Sequence, residues 1–548
     1  MNLPPPLDQN EVFAFLADPA THNLDQAVVR IDTHGACVFL AGADAYKVKR
    51  AVRFDFMDFS TLEKRRLACE REIAVNRANA PELYIGVVPI GRSQGRLRLG
   101  APGDIVEWAV HMRRFDENKT LDRLADRAEF SVGIIPKLAG AVLKSHLQAA
   151  VRDGPAATAA VQIQAQETFA DLAKATEVVS PERVHSLRHA VGSRLEDIEP
   201  LLLRRGNLGQ VRHCHGDLHL RNVVMIDDRP VLFDALEFDE ALATCDVLYD
   251  LAFLLMDLWD RGLRREANLL MNRYLWGCAD EELQIQGLAA LPVFMALRAA
   301  IRAKVAIALA ELSPEKRDSA IADARRYFQL ASDLLFEHRL ELVGVGGLSG
   351  TGKSTLAAEL APHIGRPPGA VHLRSDIERK RAFNIAEFEA LPPEGYSLQV
   401  STKIYSQLRR LAELGLEAGQ SIVVDGVHAP RHERDALANI APPVGASFTG
   451  LWLCAPLQTL TRRVTARRAD ASDATPSVVA AQTEQDLGEI TWHQVDATQP
   501  SEVIVRNVIK ICEEATAGIN PAGPKPQRPA SVPAQVTERL HWPAPEDK

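Results

Sequence analysis

One glycine-rich stretch, residues 347–355, constrains the fold of this chain more than any other feature of its sequence. It fits the pattern G-x-x-x-x-G-K-[ST], and it stands between a short apolar run, Leu342–Val345, and a segment with an apolar residue at every fourth position. In such a pattern glycines let backbone N–H groups wrap phosphate oxygens, the lysine reaches the outer phosphates and a hydroxyl holds Mg²⁺. The residues assigned to phosphate binding are Gly347, Gly350, Thr351, Gly352, Lys353, Ser354 and Thr355, with Ser354 also as a metal ligand. The sequence thus predicts a strand, a phosphate-binding loop and a helix; the alternative is a turn that carries Lys-Ser by chance.

Length and composition set the frame for the rest of the chain. At 548 residues it exceeds what one hydrophobic core normally serves, so two or more domains are expected. The net charge of −9 makes nucleic acid an unlikely partner, because a general nucleic-acid binder needs a basic excess. No apolar run approaches a membrane span and the start lacks the features of a signal peptide, so a cytoplasmic enzyme without a membrane partner is expected.

The first hundred residues alternate short apolar runs with turns, which predicts a small antiparallel sheet. The third run carries Lys47 and Lys49, and a predicted helix at about residues 60–78 carries Glu72. Strands, one lysine and a helix with a glutamate resemble the small lobe of a kinase. In that lobe the strand lysine pairs with the helix glutamate and holds the nucleotide phosphates.

The most informative stretch of the first half is residues 211–239. Asp217 and Asn222 stand in the D-x-x-x-x-N spacing of a kinase catalytic loop, and Asp234 follows a short apolar strand. Phosphoryl transfer needs these parts, because one carboxylate orients the acceptor hydroxyl while an amide and a second carboxylate hold metal ions.

The wording of this loop, His-Gly-Asp-Leu-His-x-x-Asn, resembles the aminoglycoside phosphotransferase and choline kinase branch of the protein-kinase-like fold. A similar Asp-x-x-x-Asp-Leu-Ala segment follows at Asp246 and Asp250, where acids of that branch brace the catalytic loop. The resemblance implies ATP and Mg²⁺ as cofactors. The roles that it implies are catalytic base for Asp217, Mg²⁺ ligands for Asn222 and Asp234, and a phosphate-positioning pair for Lys47 and Glu72.

Two departures and one alternative accompany this resemblance. The G-x-G-x-x-G loop usual in this branch is absent near Thr33, and Lys49 competes with Lys47 for the pairing role. The alternative is a zinc site, for which the candidate ligands are His213, His215 and His219. Their crowding within a few residues does not match the spacing of zinc sites, so orientation of the loop is the favoured role.

The second half continues with two apolar strands that end in acids. Asp376 follows the first, and Asp425 ends the second in the pattern of an acid that holds Mg²⁺. A helix rich in arginine comes later, either as a lid or as a solvated face. Together these features resemble small P-loop kinases such as gluconate kinase. That resemblance implies Asp376 as base, Arg379 as an acceptor or phosphate contact, and Arg467 as a lid arginine.

The whole arrangement looks like the family of bifunctional aminoglycoside phosphotransferase/ATP-binding proteins. The expected fold is an α+β protein-kinase-like bilobal domain at 1–338, an α/β P-loop kinase domain with a parallel sheet at 339–515, and a disordered Pro-rich tail at 516–548. The expected function is phosphate transfer from ATP to hydroxyl groups of small metabolites. Two alternatives stay open: a P-loop domain that only senses nucleotide, and one that phosphorylates a nucleotide or RNA.

Overall fold

The fold was obtained as a computed structural model, which describes residues 9–33, 35–54, 57–100, 103–466 and 471–517. The chain forms two compact units. The first contains residues 1–261 and 293–331, and the second contains residues 262–292 and 332–548. Among the described residues, no helix combines the length and the apolar character needed to cross a lipid bilayer.

The strands, in chain order, are β1 Val29–Asp32, β2 Ala36–Ala41, β3 Asp44–Lys49, β4 Arg53–Phe54, β5 Met57–Asp58, β6 Tyr84–Ser93, β7 Arg96–Leu99, β8 Asp104–Arg113, β9 Val211–His213, β10 Val223–Ile226, β11 Arg229–Leu232, β12 Thr244–Asp246, β13 Glu341–Gly347, β14 Val371–Arg374, β15 Ile422–Asp425, β16 Ser447–Cys454 and β17 His493–Asp496.

The α-helices are α1 Gln9–Ala17, α2 Leu62–Asn76, α3 Leu121–Asp126, α4 Ile135–Gln148, α5 Gly154–Leu172, α6 Pro181–Asn207, α7 Glu240–Ala243, α8 Val247–Asp260, α9 Arg264–Gly277, α10 Glu281–Gly287, α11 Leu291–Leu312, α12 Arg317–Asp333, α13 Lys353–Leu360, α14 Ser375–Ala382, α15 Leu398–Glu417, α16 Arg431–Ala438, α17 Leu457–Ala466, α18 Pro476–Thr483 and α19 Ser501–Ala517.

An antiparallel six-stranded sheet, in the order β1-β2-β3-β8-β6-β7, forms the first part of the first unit. Tyr46 and Val48 of β3 lie in the core cluster that contains α1, whereas Ala45 lies in the cluster that contains Cys69 of α2. Because side chains alternate between the faces of a strand, Lys47 and Lys49 point to the α2 side. The rest of this unit is mainly helical, with three two-stranded sheets, β4-β5, β10-β11 and β9-β12. The predicted α+β fold is confirmed.

The second unit is built on a parallel five-stranded sheet in the order β14-β15-β13-β16-β17. Val343 and Val345 of β13 pack in one core cluster with Leu356 and Leu360 of α13. In a parallel sheet the carboxyl ends of all strands meet at one edge, so the segments after β13, β14 and β15 face the same space. The predicted α/β fold is confirmed, and the sequence missed the fifth strand, β17.

The compact units differ from the predicted domain boundary in two segments, the short stretch of residues 332–338 and the longer stretch of residues 262–292. Residues 262–292, which contain α9 and α10, pack in the second unit although they precede the predicted boundary at 338/339. Their apolar helical pattern says nothing about which core they join, so the sequence could not assign them. At the other end, α19 continues to Ala517. The predicted tail therefore begins inside this helix, and the remainder, from residue 518, lies outside the described residues.

Candidate active sites

A buried lysine connects two acids in the first unit. Lys47 Nζ lies 2.8 Å from Glu72 Oε1 and 2.6 Å from Asp234 Oδ1. Lys49 Nζ lies 2.6 Å from the other oxygen of Glu72 and also contacts Glu237. Of the two lysines, Lys47 is the one that contacts Asp234, so the geometry favours Lys47 as the phosphate-positioning lysine. Lys49 instead holds the second carboxylate oxygen of Glu72.

The charges of this network determine its ionisation. Burial acts to raise the pKa of Glu72, but Lys47 and Lys49 outweigh burial and lower the pKa below its usual value. Burial acts to lower the pKa of Lys47, while Asp234 and Glu72 bring it well above its usual value. The network therefore stays charged at neutral pH, which a lysine that binds phosphate requires.

Asp234 has an unusual backbone conformation. Its φ is +59°, in the left-handed region that non-glycine residues seldom adopt, at a cost of about 1–2 kcal/mol. Two side chains hold the segment in place: Asp234 N–H donates to Tyr84 Oη at 3.1 Å, and Ala235 N–H donates to Asn76 Oδ1 at 2.8 Å. Such strain, held by specific hydrogen bonds, is typical of functional positions.

The predicted catalytic loop has Asp217 and Asn222 in direct contact. Asn222 Nδ2 donates to Asp217 Oδ2 at 3.0 Å, and His219 Nε2 lies 3.4 Å from the same oxygen. Burial acts to raise the pKa of Asp217, but its interactions with His219, His215 and Arg302 lower it overall. The side chain stays 42% exposed, so an acceptor hydroxyl can reach it.

Asn222 and Asp234 flank the β10-β11 hairpin, Asn222 directly before β10 and Asp234 two residues after β11. Val223 pairs with Leu232 in the β10-β11 ladder, and Phe233 N–H donates to Asn222 O at 3.0 Å. The amide nitrogen of Asn222 faces Asp217, which leaves its oxygen for another partner. An amide oxygen and a carboxylate are the ligand types that Mg²⁺ prefers, so these two residues fit a metal ion.

Asp250 braces the catalytic loop, as the resemblance implied. Its carboxylate accepts hydrogen bonds from Gly216 N–H at 2.8 Å, His215 N–H at 3.3 Å and His146 Nε2 at 3.1 Å. Arg298, which is also buried, donates to Gly216 O at 3.1 Å. The backbone N–H and C=O groups of Gly216, the residue before Asp217, are thereby held by Asp250 of α8 and Arg298 of α11.

Two of the three candidate zinc ligands contact other groups of the protein. His215 Nε2 lies 3.0 Å from Phe233 O, and His219 contacts Asp217. Within the described ranges, the group of side chains spaced like a metal site is instead His146, Cys214 and Asp250. Because that Asp250 already accepts three N–H donors, we interpret the group as part of the brace.

The phosphate-binding loop of the second unit depends on glycine. Gly347 has φ +133° and Gly350 has φ +86°, and a Cβ atom at either position would meet a backbone oxygen, that of Leu453 at 2.6 Å or that of Leu460 at 2.8 Å. Both space and backbone conformation therefore exclude other residues. Lys353 begins α13 and donates from Nζ to Leu348 O at 3.1 Å, which holds the ammonium group over the loop.

Asp425 ends β15 and is buried at the edge of the sheet where the loop lies. Its Oδ2 lies 3.5 Å from His372 Nε2 and 3.6 Å from Arg374 Nε. Burial acts to raise the pKa of Asp425, but His372, Arg374 and Lys353 lower it to about 2. A carboxylate that stays ionised beside the phosphate loop fits the predicted Mg²⁺ ligand.

Asp376 lies in the first turn of α14, directly after β14. Burial raises its pKa above the usual value, and the nearby positive charges of Arg374, Lys353 and Arg379 oppose this effect without cancelling it. A raised pKa and closeness to Lys353 suit a general base near the terminal phosphate. Its role stays a prediction.

The predicted arginines have different positions. Arg379 is buried, donates to Gly395 O at 2.6 Å and lies against Tyr396, so its guanidinium supports the segment before α15. Arg467 lies outside the described residues. Arg463, a described residue of α17, donates to Ala497 O at 2.8 Å and lies 3.5 Å from Thr351 O of the phosphate loop. The family resemblance selected Arg467 from the arginines of this region, so sequence reasoning did not single out Arg463.

A comparison with protein families finds one match, which falls within the second unit. Residues 342–485 match the family model described as AAA domain, and the match contains both the phosphate loop and Asp425. An uncharacterized protein of Mycobacterium tuberculosis is 29% identical over 493 residues, which are 88% of this chain and 95% of the relative.

Solved structures similar to each half are kinases by their titles. A choline/ethanolamine kinase family protein of Mesorhizobium loti is 15% identical, with a TM-score of 0.34, over 59% of this chain and 98% of the other. A sugar kinase of Janibacter sp. HTCC2649 is 20% identical, with a TM-score of 0.26, over 33% of this chain and 98% of the other.

Sequence reasoning missed three residues that contact the site groups: Glu237, Arg374 and His372. Glu237 pairs with Lys49, and the other two contact Asp425. The period-two spacing of Lys47 and Lys49 could have indicated a second acid on the same face. For His372 and Arg374, no sequence signal existed, because their contacts depend on the pairing of β14 with β15.

Proposed function

We propose that this protein is an ATP-dependent phosphotransferase with two kinase-type sites, each of which transfers the γ-phosphate of ATP to a hydroxyl group of a small metabolite. The observation that supports this best is the contact of one ammonium group, that of Lys47, with both Glu72 and Asp234. In a phosphoryl-transfer site the lysine that positions phosphates must lie beside the acid that holds the metal.

At the first site the chain supplies orientation and a proton acceptor. Asp217 takes the proton of the acceptor hydroxyl, and Asn222 holds the carboxylate in place. Lys47 binds the phosphates in an orientation that Glu72 fixes. Asn222 and Asp234 would hold Mg²⁺, which when bound neutralises charge on the phosphates.

At the second site the backbone supplies most of the phosphate contacts. The N–H groups of residues 347–354 and the ammonium of Lys353 would surround the phosphates, with Ser354 and Asp425 as ligands for Mg²⁺. Asp376, held beside them, accepts the proton of the second acceptor. The position of Asp376 close to Lys353 favours an active kinase over a nucleotide sensor, because a sensor needs no base at that point.

The test uses the intact chain, Mg-ATP and a metabolite extract, followed by mass spectrometry for new phosphorylated species. Asp217→Asn and Lys353→Ala, each expected to silence one site, are run in parallel. Two products, one lost in each variant, would support the proposal. A product set that neither variant changes would overturn it, and loss of a product in Asp217→Asn only would favour a single kinase with a regulatory nucleotide site.

A further inference from the structure

β14 lies at one edge of the parallel sheet, and the helix α9 covers its side away from β15. β14 pairs with β15 on one side only. On its other side, Asn268 Nδ2 donates to Ala370 O at 2.9 Å, and His372 N–H donates to Asn272 Oδ1 at 2.7 Å. Next along the helix, Trp276 Nε1 donates to His372 O at 3.0 Å.

These three side chains of α9 stand four residues apart, on one face of the helix. Their backbone partners are Ala370, directly before β14, and His372 within it. Asn268 and Asn272 are buried. Exposed strand edges normally need covering, and here three side chains of the helix cover the edge with hydrogen bonds to its backbone. An apolar helix face could cover the edge without fixing the position of the strand along its axis, whereas hydrogen bonds fix it.

Trp276 also reaches the functional end of the strand. The guanidinium carbon of Arg374 lies 5.7 Å from the centroid of the Trp276 ring, and Arg374 Nε lies 3.6 Å from Asp425. The ring of His372, which contacts the same carboxylate, lies 5.7 Å from that of Trp276. Asp376 follows two residues after Arg374.

We propose that α9 is a positioning element of the second site, and that Trp276 is its decisive residue. It fixes the carboxyl end of β14, and thereby the orientation of Arg374 against Asp425 and the place of Asp376. This inference rests on the proposed kinase activity of the second unit.

The sheet order predicts which step depends on α9. β15 separates β14 from β13, the strand that leads into the phosphate loop. A shift of β14 therefore displaces Asp376 while the loop, fixed by its own glycines, still binds nucleotide. Because a misplacement of about 1 Å can cost about 10²-fold in rate, loss of Trp276 should lower kcat and leave the KM for ATP nearly unchanged.

The experiment compares Trp276→Leu, Trp276→Phe and Asp376→Asn in the full chain. The rate is that of the product that Lys353→Ala abolishes. We expect Trp276→Leu to lower kcat by about 10- to 100-fold with a KM for ATP within about twofold of the parent. Trp276→Phe keeps a ring beside Arg374 but lacks the N–H group that donates to His372 O, so it should recover only a small part of kcat. A Trp276→Leu variant with unchanged kcat, or with kcat and KM equally affected, would overturn the inference.

Hydrogen exchange supplies a readout that needs no activity. In Trp276→Leu, amides of residues 370–382 should exchange at least about tenfold faster, while those of the phosphate loop keep their protection. Unchanged exchange at 370–382, or equal acceleration throughout the second unit, would contradict a positioning role. If Asp376→Asn costs no activity, the proposed kinase function fails at this site, and the exchange pattern alone then decides the role of α9.

Discussion

The two candidate sites hold their charged groups in different ways. At the first, Lys47, Glu72 and Asp234 come from β3, α2 and the segment after β11, and each charge is held by another charge. At the second, the phosphate groups would meet one continuous loop, whose shape Gly347 and Gly350 determine through their backbone conformation. The residues of an ion-pair network lie far apart in the sequence and form no motif. The residues of a loop are contiguous, so the loop can be recognised in the sequence as a motif.

Buried glutamates show the same contrast. Glu72, fully buried, has two lysines and a pKa below its usual value. Glu341, partly buried at the start of β13, lies near Glu513, and burial raises its pKa to about 7. In the first unit Glu72 is thus ionised and takes part in the candidate site. In the second unit the burial of Glu341 lowers stability at neutral pH.

The largest expected effect is at the loop. Lys353→Ala removes the charge that would reach the outer phosphates, so transfer at the second site should fall by about 10³-fold. The first site should keep its rate, and product-resolved assays measure both. Lys510→Ala, an exposed lysine of the same unit, is the matched control and should change neither rate. Equal loss of both products in Lys353→Ala would mean that the two sites are not separate.

The next effect is at the catalytic loop of the first unit. Asp217→Asn keeps the size of the side chain but removes the proton acceptor, so transfer at this site should fall by roughly 10²-fold while ATP still binds. Transfer rate and equilibrium ATP binding are measured together. Asp227→Asn, in the exposed turn between β10 and β11, serves as control. Loss of ATP binding in Asp217→Asn would place this residue among the nucleotide contacts instead.

A third experiment divides the roles of the two lysines. Lys47→Met should lower transfer at the first site by about 10²-fold, since it removes the phosphate contact. Lys49→Met should lower transfer less, by about tenfold, because it acts only through Glu72. The order for stability should be the reverse: Lys49 is 2% exposed, and its loss leaves Glu237 buried without its cation.

Thermal melting and product-resolved rates of both variants test whether the order for stability is opposite to the order for activity. The exposed Lys144→Met is the control. If Lys49→Met cost more activity and less stability than Lys47→Met, the assignment of the two lysines would be reversed.

The smallest effect concerns pH. The raised pKa of Glu341 means that the folded state holds a proton which the unfolded state releases at lower pH, so this group makes stability fall as pH rises from about 4.5 to about 7. Glu341→Gln should therefore raise the melting temperature by a few degrees at pH 8 and leave it unchanged at pH 4. The exposed Glu514→Gln is the control. An equal gain at both pH values would show that charge is not the cause.

Local patterns predicted a large part of this protein. The phosphate loop, the strands that carry Lys47 and Asp425, and the loop from Asp217 to Asn222 were all predicted from short-range spacing. Their backbone conformations depend on neighbours in sequence, such as the glycines that permit a positive φ. The predictions of Arg379 and Arg467 came from family resemblance, and the described contacts leave both roles untested.

Motif and strand periodicity are local properties, so the sequence alone shows which chemical groups the chain carries and predicts two different phosphate sites. Only the tertiary structure decided that Lys47 and not Lys49 meets Asp234, and that α9 packs on β14 in the second unit although it precedes the predicted boundary. Both facts depend on which surfaces meet after the chain has folded. An alternating strand or an Asn-rich helix face is compatible with several partners, and packing and hydrogen bonding between distant segments select one.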